Sequence, residues 1–172
     1  MTARRLLAVF AALLLSIAFG DARTMAGFGR GETVALTGKP VVVDGDSLRI
    51  GAERIRLLHI DACEIGQPAM QAGDRIDCGA WARAAMAALI SDSRLACENQ
   101  GLDRHSRVLA HCRTGDGVNV ALVAVRAGIA FVGDPRRAPK VFTEAERDAR
   151  ARGLGVWGFT VERPDVYRRR VA

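Results

Sequence analysis

The chain reads as an α+β protein, mainly β, with about five strands and about three helices between and after them. Three observations predict this. Between residues 32 and 60, β-branched and aliphatic runs are short and broken by Asp44-Gly45 and Gly51-Ala52-Glu53, the pattern of a meander with tight turns. An alanine-rich stretch, residues 78–90, has the composition of a helix. Two further runs, residues 94–99 and 108–113, face each other across a polar tip as a hairpin. Periodicity alone leaves open whether the strands close as a small barrel or lie as an open sheet.

The N-terminus carries the marks of a targeting signal. Arg4 and Arg5 precede an uncharged apolar run, residues 6–19. Ala18-Phe19-Gly20 and Gly20-Asp21-Ala22 both fit a small-x-small cleavage site. Residues 1–20 are therefore expected to be a signal peptide, cleaved near 20–22, with an uncleaved anchor as the alternative. The run is short for a bilayer span of ~20 residues, and nothing later in the chain is apolar enough for one. A secreted or periplasmic location follows, without stable membrane association after cleavage. Residues 21–37 are a flexible lead-in, glycine-rich to residue 31, and the start of the first strand.

Val41-Val42-Val43 reads as a strand ending at Asp44-Gly45, residues 47–50 as the next, and residues 55–60 as a third. Residues 62–77 contain Gly66, Pro68 and Gly73 and read as a long loop, of a length compatible with a functional or lid role. Past the hairpin, residues 118–126 form a helix that Gly128 ends, and residues 129–132 a short strand. Thr143 and Glu146 have capping-box spacing and open a helix running to residue 152, which Gly153-Leu154-Gly155 stops. Residues 158–172 form a basic tail that reads as irregular.

The formal net charge is +6 and the pI about 9.9, a balance that favours polyanionic partners. All four cysteines, Cys63, Cys78, Cys97 and Cys112, lie in the exported part, and none has C-x-x-C spacing. An even number in an exported chain argues for two disulfides. Of the three connectivities, Cys63–Cys78 with Cys97–Cys112 is favoured because each pair brackets a local loop. Each bond would close ~15 residues and contribute ~3 kcal/mol. A hairpin crossing at residues 104–105 also sets Cys97 opposite Cys112. A tetrahedral zinc site of four thiolates is the alternative.

Chemistry concentrates in three stretches: Asp44-Gly45-Asp46-Ser47, Arg56 to Glu64, and Asp103-Arg104-His105-Ser106-Arg107. Asp46, Asp61 and Glu64 offer oxygen ligands, which select calcium or magnesium over zinc or copper. Asp44 reads as a turn former. Leu48 stands where an EF-hand needs an oxygen, which excludes that motif. Arg56 interrupts an apolar strand and suits bidentate contact with phosphate, with an outward-facing strand arginine as the alternative, while Arg104 and Arg107 at the hairpin tip read as solvated loop charges or as phosphate contacts. Arg56 and Asp61 are five apart, so a regular strand would point them to opposite faces. They converge only if the strand ends or bends before Asp61. No Ser-His-Asp pattern is recognisable, so a serine hydrolase is not indicated.

Val43 to Ser47, Arg56 to Glu64 and Asp103 to Ala110, in this order and spacing, resemble the thermonuclease family, also called staphylococcal nuclease-like proteins. The resemblance covers residues 38–157, and Glu144-Ala145-Glu146 and residues 153–157 look like the family's final helix and its end. It implies an OB-fold barrel of five strands with three helices, and calcium-dependent hydrolysis of single- and double-stranded DNA and of RNA by a monomer. By motif position, Asp46, Asp61 and the main-chain carbonyl of Ala62 would bind Ca2+. Glu64 would position or deprotonate the attacking water. Arg56 and Arg107 would bind phosphate and stabilise the transition state, with Arg104 and His105 contacting substrate. Two departures stand out. Cys63 replaces the family's usual proline, and His105 its common tyrosine. A catalytically weak module that binds nucleic acid or another polyanion is the alternative function.

Overall fold

A computed structural model describes residues 35–172. The expected signal peptide and most of the lead-in lie outside the described residues. The described chain is α+β and mainly β. It contains β1 (Ala35–Gly38), β2 (Val41–Val42), β3 (Ser47–Ile50), β4 (Glu53–Leu57) and β5 (Ile60–Asp61). β6 (Pro68–Gln71), β7 (Asp74–Asp77) and α1 (Cys78–Leu89) follow, then the long pair β8 (Leu95–Leu102) and β9 (Val108–Thr114). The remainder is α2 (Val120–Arg126), β10 (Phe131–Val132), α3 (Lys140–Ala151), a 3-10 turn (Gly155–Gly158), β11 (Thr160–Val161) and α4 (Pro164–Val171).

The main sheet has the order β1-β8-β9-β4-β3-β2, antiparallel except for β4 with β9. Its two edge strands are consecutive in sequence. A flat six-stranded sheet would hold its edges roughly 24 Å apart at ~4.8 Å per strand, whereas Gly38 to Val41 spans at most about 11 Å. The sheet must therefore curl until β1 comes back towards β3. Gly38 marks the approach, since a Cβ there would lie 2.6 Å from Ile50 Cγ2. No ladder among the described strands closes the curl, and together they form a strongly curved mixed sheet. The link Lys39-Pro40 includes a residue with no N–H, and β2 is only two residues long.

The concave side is filled by Leu48, Ile55, Leu57, Leu95, Ala110 and the Cys97–Cys112 disulfide, and is capped by Ala82 and Met86 of α1 and by Val125 of α2. Each fully buried Leu or Ile contributes ~1.5–3 kcal/mol. A second cluster, with Cys63, Ala69, Cys78, Phe131 and Val156, holds the Cys63–Cys78 disulfide. Both disulfides thus have the connectivity the spacing favours, and Cys97 faces Cys112 in the ladder.

Four expectations are corrected. The third strand does not run to residue 60: β4 stops at Leu57, and His59 takes a left-handed conformation (φ 72°) before β5 starts. The stretch 62–77 is not a loop throughout, because β6 and β7 form a hairpin within it. The helix expected from Thr143 starts at Lys140, behind Pro139. Glu146 does not fold back on the helix start; its Oε1 accepts from Val132 N at 2.8 Å, an amide of β10. The tail is not irregular: it adds β11 to the β6–β7 hairpin and then forms α4, a fourth helix among the described residues. Among the described residues no helix is long and apolar enough to cross a membrane.

Candidate active site

Two neighbouring parallel strands set the frame. Arg56 of β4 pairs in register with Leu109 of β9, and Arg107 lies two residues before Leu109. Side chains alternate along a strand, so Arg56, Leu109 and Arg107 share one face while Leu57, Val108 and Ala110 turn into the core. That shared face borders a cavity of about 660 Å³, which Asp46, Glu64, Arg104, His105 and Arg168 also line.

The break at Leu58-His59 brings Asp61 back to Arg56. Once β5 leaves the main sheet to pair with β10, the parity of a continuous strand no longer applies. Arg56 Nη2 donates to Asp61 Oδ1 at 2.9 Å, and Nη1 donates to Asp46 Oδ1 at 2.8 Å. One guanidinium thus spans two carboxylates that are each only 4% exposed. Asp46 Oδ1 also accepts from Ser47 Oγ, and its Oδ2 from Ala62 N at 3.0 Å. Burial pushes Asp46 up to about 7, against the lowering effect of Arg56. Burial also acts to lower Arg56, but the Asp46 and Asp61 carboxylates outweigh it and raise its pKa. Asp44 accepts from Asp46 N at 3.0 Å, the turn-forming role its sequence context indicates.

The β8–β9 tip is organised by Asp103. Its Oδ1 accepts from His105 N and Arg107 N, and its Oδ2 from Arg107 Nε at 2.8 Å. Desolvation acts against ionisation of Asp103, but these bonds outweigh it and hold its pKa at about 2. Arg107 is thereby fixed side-on, and its Nη1 reaches Ser47 Oγ at 3.3 Å. Arg104 and His105 stand exposed at the tip, with Arg104 Nε donating to His105 Nε2 at 3.0 Å.

Glu64 is set by its own loop. Cys63, beside it, is tied to Cys78 at the start of α1. Gly79 packs so closely on the Glu64 main chain that a Cβ would collide with the Glu64 carbonyl. The N-cap Asp77 accepts from Ala80 N and also from Gly66 N, which ties the loop to α1. Gln67 is fully buried: its Oε1 accepts from Glu64 N at 3.0 Å and its Nε2 donates to Glu162 O at 2.8 Å. Gln67→Ala removes both bonds and leaves buried main-chain groups unpaired. It is expected to cost about 2–3 kcal/mol, read from urea unfolding.

Sequence reasoning missed two residues here, Gln67 and Arg168, and gave Asp103 no role although it opens the third stretch. Arg168 of α4 has the largest effect on the site. Its Nη1 donates to Asp61 Oδ1 at 3.0 Å and to Glu64 Oε1 at 2.6 Å, and its Nη2 donates to Asp61 Oδ2 at 2.9 Å. Those hydrogen bonds raise the pKa of Arg168 despite partial burial. The signal that could have pointed to α4 is Pro164, which stands at a first helical position in a tail that reads as irregular. The arginines alternate with the acids: Asp46, Asp61 and Glu64 face Arg56 and Arg168, three acids against two arginines. Among the described residues, no three His, Cys, Asp or Glu side chains converge in metal-holding geometry, because the arginines stand between them.

Comparison with known proteins identifies the family. The family described as staphylococcal nuclease homologue matches residues 54–158. That span includes Arg56, Asp61, Glu64 and Arg107, and excludes Asp46 and Arg168. Succinoglycan biosynthesis protein ExoI of Rhizobium meliloti (strain 1021) is 31% identical over 129 residues, covering 74% of this chain and 67% of that protein. An uncharacterized endonuclease of Escherichia coli is 32% identical over 120 residues, covering 67% of this chain and 72% of that protein. A counterpart from Escherichia coli O157:H7 matches to the same extent. With its motifs, its curled sheet and these matches in agreement, the chain belongs to the staphylococcal nuclease homologue family and carries that family's nuclease domain.

Proposed function

We propose that the protein is an exported, calcium-dependent endonuclease that hydrolyses phosphodiester bonds in single- and double-stranded DNA and in RNA, acting as a monomer. One observation carries the reading. Arg56 and Arg107 share one face of two neighbouring strands and border the same cavity as Asp46 and Glu64. Two disulfides support export, since such bonds persist in oxidising compartments. The strongly curved sheet supports the OB-fold barrel as the architecture, with residues 38–157 as the nuclease domain, and the charged then apolar N-terminal sequence supports residues 1–20 as the signal peptide.

The donor set fits a hard cation. Asp46 and Asp61 are within reach of one guanidinium, and all side-chain donors are carboxylate oxygens. Asp46, Asp61 and the Ala62 carbonyl would hold Ca2+. When bound, the ion would screen the phosphate charge and favour attack by water. Glu64 would orient that water and take its proton. Arg56 and Arg107 would donate to the non-bridging phosphate oxygens and stabilise the charge that builds on them, each already oriented by an acid. Arg104 and His105 would meet the adjoining nucleotides, and the basic surface would draw the polyanion in.

The purified protein is expected to degrade single-stranded DNA in calcium and to stop when a chelator is added. Full activity in chelator, or none at any calcium concentration, would overturn the proposal. The contact of Arg168 with Glu64 favours a second reading, a weak or inactive module that binds nucleic acid. Tight binding of DNA in calcium with no cleavage would establish that reading instead.

A further inference from the structure

Arg168 makes three short charge-assisted hydrogen bonds to oxygens of Asp61 and Glu64, and its helix is anchored for that purpose at its other end. Arg163, just before α4, donates from Nη2 to Val132 O at 2.7 Å and lies over the Phe131 ring. Pro164 is fully buried. The buried Gln67 side chain holds the carbonyl of Glu162 and the amide of Glu64 at once, so the loop carrying Glu64 and the segment leading into α4 share one fastening. The far half of α4 is held differently. Arg169 pairs with Asp165 on the same helix, and Arg170 with Glu162 just before it, both on the surface. Arg168 is therefore the charged contact that joins this half of α4 to the site.

A guanidinium on Asp61 and Glu64 uses the lone pairs that a divalent cation would require of Asp61. The two cations cannot both have full use of that carboxylate. Nor can Arg168 keep its place at Glu64 unchanged if Glu64 is to take a proton from water. The side chain is 41% exposed, so it can leave for solvent without vacating a packed core.

Resting on the calcium reading above, we propose that Arg168 is a positioning residue that acts as a tethered counter-ion. It holds Asp61 and Glu64 in place before the cation arrives, yields Asp61 on its arrival, and so sets the affinity for calcium. A chain lacking this arginine binds calcium more tightly, because one fewer ion pair on Asp61 has to break, Arg56 remaining in both chains. A calcium-loaded chain has a looser α4.

Isothermal titration of the full chain with calcium chloride tests this directly. Arg168→Ala is expected to lower the calcium Kd about tenfold, the effect of removing one charge-assisted contact that competes with binding. Arg168→Lys keeps the charge but loses the fork, and is expected to fall between the two. Independently of any variant, hydrogen exchange in residues 164–172 of the wild type is expected to speed up on calcium addition. An unchanged or weaker calcium affinity in Arg168→Ala, or exchange that is unaltered or slowed in the wild type, overturns the inference and leaves the calcium reading standing. If the wild type takes up no calcium at all, the calcium reading fails first and takes this inference with it. If Arg168→Ala loses affinity for a nucleotide bisphosphate while its calcium Kd is unchanged, Arg168 is a phosphate ligand and not a counter-ion.

Discussion

Arg107→Ala is expected to lower turnover on DNA by about two to three orders of magnitude, the usual loss when one preorganised donor to a developing anion is removed. The physical basis is the tip geometry. Asp103 grips the guanidinium from Nε and Nη2, which leaves the remaining edge to face the cavity in a fixed orientation. The fold should barely notice the change. Arg107 sits at a hairpin tip, and its ion pair is local, so the melting temperature is expected to move by no more than about 4 °C. Arg107→Lys should recover little of the turnover, because a point charge cannot be gripped on one edge and donate from the other. The kinetics to compare are kcat at saturating calcium for the three proteins, with calorimetry alongside. Wild-type kcat in Arg107→Ala would refute the role.

Arg56→Ala should behave differently, with a loss in both stability and turnover. Asp46 and Asp61 are almost wholly buried and share this one guanidinium, so its removal leaves two acids short of a partner. Breaking such a buried pair costs about 3 kcal/mol or more, although Arg168 still covers Asp61. Turnover should fall by at least the two orders expected for Arg107. Calcium gives the distinguishing readout. If the ion sits on these carboxylates, saturating calcium should restore much of the lost stability in unfolding experiments while leaving turnover low. Equal destabilisation with and without calcium would count against Asp46 and Asp61 as ligands.

The contrast between these two arginines shows which parts of the site could be read in the sequence. Arg107 and Asp103 are four residues apart, and the tip that joins them is a local structure with local residues. Arg56 and Asp61 looked incompatible at strand spacing. What reconciles them is His59 in a left-handed conformation, which few side chains adopt and which no pattern of apolar residues announces. The β6–β7 hairpin was hidden for a related reason. Its positions are mostly exposed on both faces, so it lacks the alternation by which a half-buried strand is recognised. The helix containing Thr143 was found, but its start was misread because Glu146 serves a distant amide of β10 in place of its own helix end. Gln67 and Arg168 act over more than 90 residues of sequence, and a lone glutamine or an arginine in a basic run carries no sign of where it will point. Cys97 and Cys112 lay at the opposite extreme, since a hairpin's numbering alone sets them face to face.

That cross-strand bond bears on how the protein should be handled. Among the described strands β9 alone is joined to both β4 and β8, and the bond at Cys112 lies five residues from Arg107. A slip of one residue along β9 would turn Leu109 inward and carry Arg107 to the wrong side of the sheet. The disulfide makes that slip covalently impossible against β8. Material prepared in a thiol reductant, or made where disulfides do not form, is accordingly a different specimen with the same sequence. Its two arginines would be kept on one face by strand pairing and packing alone. Activity measured on such a sample would report the redox history of the preparation as much as the chemistry of the site.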